Sequence, residues 1–225
     1  MIKKSYQIID ELRYYREAFR SCNVYVLTCF DSEILFDPSL SPDSIEQKRP
    51  ISKLIATHAH YDHIGMVNKW KEEYPDVPFL MHGGDLVMLD DTMLNASIYF
   101  GRPESYVKPD RILKDGDIIE LDGQYYLDVI NTPGHTMGSS CFMIFRRDSD
   151  NTVPLAMITG DTLFDRGWGR TDFTTGDDTL MRDSLMRLYR ILSKMPDDLP
   201  VCAGHSAITN AADACRFLTA MGFAS

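Results

Sequence analysis

The stretch Thr57-His58-Ala59-His60-Tyr61-Asp62-His63 brings three histidines and one aspartate together in the pattern H-x-H-x-D-H. Imidazole nitrogens and carboxylate oxygens packed this closely suit a divalent metal ion of borderline softness, above all zinc. The alternate positions of His58 and His60 let both side chains converge in an extended segment. Asp62 and His63 follow at the turn into a predicted helix, where they can point at a second position nearby. Because such packing has no evident structural purpose, the stretch predicts a metal site.

Apolar runs and turn residues divide the rest of the chain into predicted strands and helices. Runs rich in Val, Ile, Leu and aromatic residues predict strands at 23–30, 34–36, 51–56, 77–81, 118–121, 125–130, 140–145, 153–159 and 200–202. Apolar residues at three-to-four spacing predict helices at 64–74, 85–94, 177–194 and 210–221. Strands that pair first as meanders, with helices at intervals, predict sheets packed together with helices outside. No linker or repeat is visible, so we predict one domain over residues 1–225.

Three further residues stand where predicted strands end. His135 lies in Thr132-Pro133-Gly134-His135-Thr136, His205 follows Ala203-Gly204, and Asp161 follows Ile158-Thr159-Gly160. Taken alone, a turn histidine is more often hydrogen-bonded within the fold than bound to a metal, and an aspartate here is more often a cap. Once the first cluster is accepted as metal-binding, these three residues become candidate ligands with it.

The sequence therefore predicts ligands for two metal ions, with Asp161 shared between them. Three protein ligands per metal plus the shared groups leave an open position for water, which a catalytic zinc site requires. His82 also follows a predicted strand but has no second element beside it, so we predict a structural role for it. The seven predicted ligands are His58, His60, Asp62, His63, His135, Asp161 and His205.

Composition excludes several classes of protein. The net charge of -10, from 23 basic and 33 acidic residues, is the wrong sign for a polyanion-binding surface, so we expect no nucleic-acid partner. No apolar run approaches the roughly 20 residues of a membrane-spanning helix, so we expect no membrane partner. The charged N-terminal sequence leaves no room for a signal peptide, and the five cysteines form no pairing pattern. We therefore expect the cysteines to be buried free thiols and the protein to be cytoplasmic. We expect a small-molecule substrate as its partner, and the sequence leaves the oligomeric state open.

Beyond the histidine cluster, several motifs recur in the order seen in one protein family. They are Asn23-Val24-Tyr25 with Asp37-Pro38, 57–65, 132–138, 160–164, Gly169-Arg170-Thr171-Asp172 and Gly204-His205. With them the sequence resembles the metallo-β-lactamase superfamily, specifically its glyoxalase II-like hydrolases. The resemblance implies an α/β fold, a four-layer αββα sandwich of two mixed sheets with outer helices. It also implies one metal on His58, His60 and His135, a second on Asp62, His63 and His205, and Asp161 bridging.

The sequence departs from that pattern in two ways, and one segment also resembles another branch of the superfamily. Ser39 stands where the family commonly has glycine, which affects a turn more than the chemistry. Because the sequence ends at Ser225, we expect no counterpart of the C-terminal domain that binds glutathione in full-length glyoxalase II, and we leave open whether the thioester substrate contains glutathione. The segment Arg166–Phe173 also resembles persulfide dioxygenases, in which one iron is held by the counterparts of His58, His135 and Asp161. A further branch, the oxygen-reducing di-iron relatives, carries glutamate at the position of His60. The histidine here argues against membership of that di-iron branch.

We therefore expect a metal-dependent hydrolase with two zinc ions, with Fe²⁺ or mixed metals as variants, that cleaves a small thioester or related carbonyl substrate. Asp62 is the expected catalytic carboxylate, because it lies nearest to a metal-activated water. The alternative is a mononuclear iron persulfide dioxygenase, and a third hypothesis is a metal-holding fold with a purely structural or binding role. Asp37 is a candidate for steering a ligand histidine and equally for an ordinary turn residue. Arg170 and Asp172 are expected to form an ion pair rather than to bind substrate.

Overall fold

The computed structural model describes residues 4–16, 22–149 and 151–224, so Met1, Ile2 and Lys3, on which the signal-peptide argument partly rests, lie outside the described residues. The chain divides into two compact units, Met1–Leu113 and Lys114–Ser225. Each unit contains one mixed sheet with its own helices. The single domain expected over residues 1–225 stays a prediction.

The sheet of the first unit follows the order of the chain. Its strands are β1 (Ser5–Ile9), β2 (Leu12–Tyr15), β3 (Val24–Thr28), β4 (Glu33–Phe36), β5 (Ile51–Ile55), β6 (Phe79–His82) and β7 (Arg111–Leu113). Strands β1 to β4 pair antiparallel, and β4 to β7 pair parallel. The carboxyl ends of β4, β5 and β6 therefore lie at one edge of the sheet, and the segments that follow them are neighbours.

The helices of the first unit are short, and the longer of them covers the core. They are α1 (Tyr61–Ile64) and α2 (Val67–Glu73), with 3-10 helices at Pro42–Ser44, Gly83–Met88 and Ser97–Phe100. Trp70 of α2 is fully buried in the same apolar cluster as Phe79, and its indole N–H donates to Leu40 O at 2.8 Å. A buried indole needs such an acceptor, so this contact fixes the depth of α2.

A buried ion pair ties β2 to β4 across β3. Arg13 and Glu33 are 1% and 0% exposed, and the guanidinium donates to both carboxylate oxygens at 2.8 and 3.0 Å. Arg13 also donates to Thr28 Oγ1 at 2.9 Å and to Glu46 O at 2.7 Å. A charge pair taken out of water is tolerated only when its remaining donors and acceptors are satisfied, as they are here.

The second unit contains a sheet in the order β13-β12-β11-β10-β9-β8 within the described residues. Its strands are β8 (Ile118–Glu120), β9 (Tyr125–Asn131), β10 (Ser140–Asp148), β11 (Asn151–Gly160), β12 (Pro200–Ala203) and β13 (Thr209–Asn210). All pairs are antiparallel except β11 with β12. The parallel pair brings the carboxyl ends of β11 and β12 together at one edge.

Two helices of the second unit pack on one apolar cluster. They are α3 (Asp178–Leu192) and α4 (Ala211–Ala220). The α3 residues predicted to share one face are all buried in that cluster: Met181, Leu185, Leu188 and Leu192. Asp177 caps α3 by accepting from Leu180 N at 2.9 Å, which satisfies one of the otherwise unbonded N–H groups of the first turn. Among the described residues, none of the helices combines the length and apolar character needed to cross a bilayer.

Most predicted elements are confirmed to within a few residues, but the helix predicted over 85–94 is wrong. This segment forms the 3-10 helix Gly83–Met88 followed by turns. Asp91 explains the difference, since its Oδ1 accepts from the backbone N–H groups of Met93 and Leu94 at 2.9 and 3.1 Å. Short acidic side chains that bond nearby N–H groups in this way compete with a continuous helix.

Other elements differ from the sequence prediction in extent or were missed. The helix predicted over 64–74 begins earlier, at Tyr61, and is interrupted between Ile64 and Val67. Strands β1, β2, β7 and β13 were missed, because each is short and lacks a continuous apolar run.

We expect Arg13→Met to lower the free energy of unfolding by about 3–5 kcal/mol, because Glu33 would keep a buried charge without its partner. Urea denaturation measures this change. The double variant Arg13→Met with Glu33→Leu should recover most of the loss. As a control, Arg147→Met breaks the exposed pair between Arg147 and Glu120 and should cost no more than about 1 kcal/mol. A single Arg13 variant as stable as this control would contradict the prediction.

Candidate metal centre

The first group of predicted ligands lies where β5 ends and α1 begins. His58, His60 and His63 are all buried, at 4% exposure or less. The ring centroids of His58 lie 4.8 Å from His60 and 4.0 Å from His63. A ring nitrogen of His58 lies within 4.8 Å of one of His60 and of one of His63. A carboxylate oxygen of Asp62 lies within the same distance of a ring nitrogen of His63. The structure thus brings together the four ligands predicted from the H-x-H-x-D-H stretch.

Asp37 orients His63 from the end of the neighbouring strand, β4. Its Oδ2 accepts from His63 Nδ1 at 2.9 Å and from the Thr57 hydroxyl at 3.0 Å, while its Oδ1 accepts from Thr57 N at 2.7 Å. Asp37 is fully buried. Of its two predicted roles, the structure therefore supports steering a histidine. A proton held on Nδ1 leaves the lone pair on Nε2, which is the form in which histidine binds a metal.

The same hydrogen-bond network fixes the tautomer of His58. Thr57 Oγ1 lies 3.1 Å from His58 Nδ1. Because the threonine hydroxyl has one proton and donates it to Asp37, its oxygen accepts from His58 Nδ1. Nδ1 of His58 thus carries the proton, and Nε2 carries the lone pair.

The second group of predicted ligands lies in the second unit, after β9, β11 and β12. Asp161 Oδ2 lies 3.7 Å from His135 Nε2 and 3.6 Å from His205 Nε2. His135 and Asp161 are buried, whereas the side chain of His205 is 38% exposed. One carboxylate oxygen facing two imidazole nitrogens is the arrangement expected of a shared ligand.

A backbone carbonyl holds His135 in the corresponding tautomer. His135 Nδ1 donates to Arg170 O at 2.7 Å, which leaves Nε2 facing Asp161. The segment carrying Arg170 approaches closely because Gly169 has no side chain: its N–H donates to Asp161 O at 2.8 Å. A Cβ at Gly169 would collide with that oxygen and lie 2.9 Å from His135 Nδ1.

Gly134 lets the turn that carries His135 pack against the start of α3. It has a φ of 141°, and a Cβ at this position would collide with the backbone of Met181. Gly134 O also accepts from Asp177 N at 2.8 Å, which links the turn to the residue that caps α3. The turn and helix α3 therefore jointly fix the position of His135.

Other residues singled out in the sequence have structural roles. His82 Nδ1 accepts from Gly84 N at 3.1 Å and caps the 3-10 helix Gly83–Met88, as its predicted structural role requires. Arg170 and Asp172 form the expected ion pair at 2.6 Å, and the Arg170 guanidinium lowers the pKa of the Asp172 carboxyl. All five cysteines are free thiols, and burial raises the pKa of Cys141 to about 11.

Sequence reasoning missed Asp85, which supports the first group of ligands. Its Oδ2 accepts from Ala59 N at 3.0 Å, and the residue is fully buried. Asp85 is the first residue of the helix predicted over 85–94, a position where an acidic residue is common. The available signal is its place directly after β6, at the edge of the sheet where β5 delivers His58 and His60.

The donor sets of both groups fit a divalent cation. They combine buried imidazoles whose Nε2 lone pairs are set by hydrogen bonds at Nδ1 with carboxylate oxygens next to them. Nitrogen and oxygen donors of this kind suit zinc and iron, whereas calcium and magnesium prefer oxygen ligands alone. The ligand chemistry thus fits a divalent metal ion and suits zinc and iron equally.

We expect Gly134→Ala to destabilise the protein by about 1–3 kcal/mol more than Gly116→Ala. Both glycines have a positive φ, but a Cβ at Gly116 meets nothing within 4 Å, whereas one at Gly134 collides with the backbone of Met181. Thermal unfolding of the two variants separates the packing collision from backbone strain. Equal losses at the two sites would show that the contact with α3 contributes nothing.

The sequence is similar to those of several known proteins. The sequence model of the metallo-beta-lactamase superfamily matches residues 18–205. The chain is 32% identical over 194 residues to the probable metallo-hydrolase YqgX of Bacillus subtilis, covering 84% of this chain and 86% of that one. It is 31% identical over 159 residues to the hydroxyacylglutathione hydrolase GloC of Haemophilus influenzae, covering 69% of each.

Solved structures show the same fold. The BLEG-1 B3 metallo-beta-lactamase superposes with a TM-score of 0.74 at 26% identity, covering 90% of this chain and 95% of that one. TTHA1623, solved in a di-iron-bound form, gives a TM-score of 0.69 at 27% identity and covers 89% of this chain and 96% of that one. The predicted fold class, two mixed sheets with helices in the αββα class, is thereby confirmed. The chain belongs to the metallo-beta-lactamase superfamily.

Proposed function

We propose that this protein is a metal-dependent hydrolase that cleaves a small thioester or a related carbonyl compound with two zinc ions. The observation that carries the proposal is the hydrogen bonding of the buried imidazoles. His58, His63 and His135 each direct Nδ1 to an oxygen of the protein and present Nε2 for a metal. In the proposed centre the ligands are His58, His60, Asp62, His63, His135 and His205, with Asp161 shared.

The metals would act as Lewis acids, and the residues of the chain would orient the metals and the attacking water. When bound, zinc polarises a carbonyl group and lowers the pKa of a coordinated water to about 7, so that hydroxide is available near neutrality. Asp62 lies in the first turn of α1 beside His63, so we assign to its carboxylate the orientation of the attacking water and the uptake of its proton. Asp37 keeps its contact with His63 throughout and holds that ring in place.

The choice of substrate class is supported by the relatives. GloC, with which the chain shares 31% identity, is a hydroxyacylglutathione hydrolase, and this supports a thioester as the substrate. YqgX is described more broadly as a probable metallo-hydrolase, which supports hydrolysis without naming a substrate. We therefore propose S-lactoylglutathione as the first substrate to test.

The alternative is an iron-dependent persulfide dioxygenase. It is favoured by the resemblance of Arg166–Phe173 to that branch. The similarity to TTHA1623, solved in a di-iron-bound form, supports iron as the metal but not a single iron. Two histidines and one carboxylate, here His58, His135 and Asp161, form the ligand set of many non-haem iron oxygenases. Metal analysis separates the two proposals: about two zinc ions per chain support the hydrolase. One iron per chain with oxygen uptake on glutathione persulfide supports the dioxygenase.

We expect His58→Ala to lose zinc and to lower kcat/KM for S-lactoylglutathione by at least about 100-fold. The matched control is His82→Asn, which replaces the histidine outside the proposed ligand set by another residue able to cap the helix Gly83–Met88. It should keep metal content and activity. Unchanged hydrolysis by His58→Ala would favour the purely structural or binding role.

We expect Asp37→Asn to weaken zinc binding by about 10–100-fold while the chain stays folded. The amide oxygen can still accept from Thr57 N, but the amide nitrogen then faces His63 Nδ1, where an acceptor is needed. The ring would be pushed into the tautomer that carries its proton on Nε2, which cannot bind a metal. Competition with a zinc chelator measures the affinity, and an affinity equal to that of the wild type would contradict this role of Asp37.

A further inference from the structure

We infer that Asp85 is a positioning residue that sets the spacing of the metal ligands His58 and His60 by holding the backbone between them. This inference rests on the proposed role of the two histidines as ligands. Asp85 Oδ2 accepts from Ala59 N at 3.0 Å, and Ala59 is the residue that separates the two histidines.

The parallel strands place Asp85 opposite Asp37. Strand β5 pairs with β4 on one side and with β6 on the other, both in parallel. The segments that follow the three strands therefore emerge side by side, with the histidine loop in the middle. Asp37 follows β4 and binds Thr57 N at 2.7 Å, while Asp85 follows β6 and binds Ala59 N at 3.0 Å. Two buried carboxyl groups hold the same loop from both sides.

These two contacts fix the backbone on either side of His58. Thr57 precedes His58 and Ala59 follows it, so both neighbouring N–H groups are held by side chains of other segments. The torsions at Ala59 determine how the rings of His58 and His60 face each other. Their centroids lie 4.8 Å apart with planes at 89°. Release of Ala59 N would free this angle.

The surroundings of Asp85 make it a rigid support. Both Asp85 and Ala59 are fully buried, so water cannot replace the carboxyl as an acceptor without a change in packing. The next turn is anchored in the apolar cluster by Met88 and Leu89, and Leu89 O accepts from Tyr106 N at 2.9 Å. The carboxyl is thus presented from a fixed segment to a fixed N–H group, as a support for metal ligands should be.

The experiment compares Asp85→Ala and Asp85→Asn in the full chain. The zinc affinity is measured by competition with a chelator, and the cobalt-substituted protein reports ligand geometry through its visible absorption spectrum. We expect Asp85→Ala to bind zinc about 10–100-fold more weakly and to change the cobalt spectrum. Asp85→Asn keeps an oxygen that can accept from Ala59 N, so it should stay within about threefold of the wild type and restore the spectrum.

Asp110→Ala is the matched control. Asp110 Oδ2 also accepts from a backbone N–H of this sheet, that of Phe79 at 2.8 Å, but Phe79 begins β6 and is no part of the histidine loop. This variant should bind zinc like the wild type. If Asp85→Ala does not fold, Asp85→Ser replaces it, since its shorter side chain removes the contact and leaves a polar group; the same loss of zinc affinity and the same spectral change are expected.

Two results would overturn the inference. One is wild-type zinc affinity and an unchanged cobalt spectrum in Asp85→Ala or Asp85→Ser. The other is an equal loss in Asp85→Asn and Asp85→Ala, which would show that the charge of the carboxyl matters and its hydrogen bond does not. A parallel measurement on His58→Ala separates the two proposals: if that variant keeps zinc, the proposed function fails. If it loses zinc while Asp85→Ala keeps it, only the role of Asp85 fails.

Discussion

The hydrogen bonds to the buried carboxyl of Asp37 are the constraint on which the first group of ligands depends. One carboxyl accepts from the backbone and hydroxyl of Thr57 and from the ring of His63. The threonine hydroxyl in turn fixes His58, so a single acidic group determines the tautomers of two imidazoles. Asp37 adopts a φ of 55°, a left-handed conformation that aspartate tolerates better than most residues and that turns its side chain back toward the next strand.

In the second unit, a backbone group fixes the tautomer of a candidate ligand histidine, His135. There the acceptor at Nδ1 is the carbonyl of Arg170, and it is brought close by a glycine that leaves no side chain in the way. Both solutions leave Nε2 as the nitrogen that carries the lone pair. The two acceptors differ in how a substitution affects them. Mutation of Asp37 removes its carboxyl, whereas mutation of Arg170 leaves the backbone carbonyl in the chain and can only change its position.

Features of the structure could be predicted from the sequence where the residues that determine them are close together in the chain. The H-x-H-x-D-H stretch is contiguous, and its convergence follows from an extended segment that enters a helix, so these ligands could be predicted. His135, Asp161 and His205 could be picked out because each follows a predicted strand in a short motif. Strands with continuous apolar runs, such as β10 and β11, were found for the same reason.

Contacts between distant segments could not be predicted in this way. The pair of Arg13 and Glu33 joins strands on either side of β3, and no spacing in the sequence distinguishes it from charges on an exposed surface. The support that His135 receives from Arg170 comes from a carbonyl, which every residue has. Asp85 was placed in a helix by its apolar neighbours, because the competing turn at Asp91 depends on side-chain hydrogen bonds that periodicity does not include.

The irregular path between β6 and β7 has a consequence for divergence within the superfamily. Apart from the 3-10 helix Ser97–Phe100, residues 89–110 form neither helix nor strand, so an insertion or deletion there need not shift the register in which the two strands pair. Large apolar side chains are exposed along this path, among them Met93, Tyr99 and Val107. Evolution can therefore remodel this part of the molecular surface while the strands that deliver His58 and His60 keep their alignment.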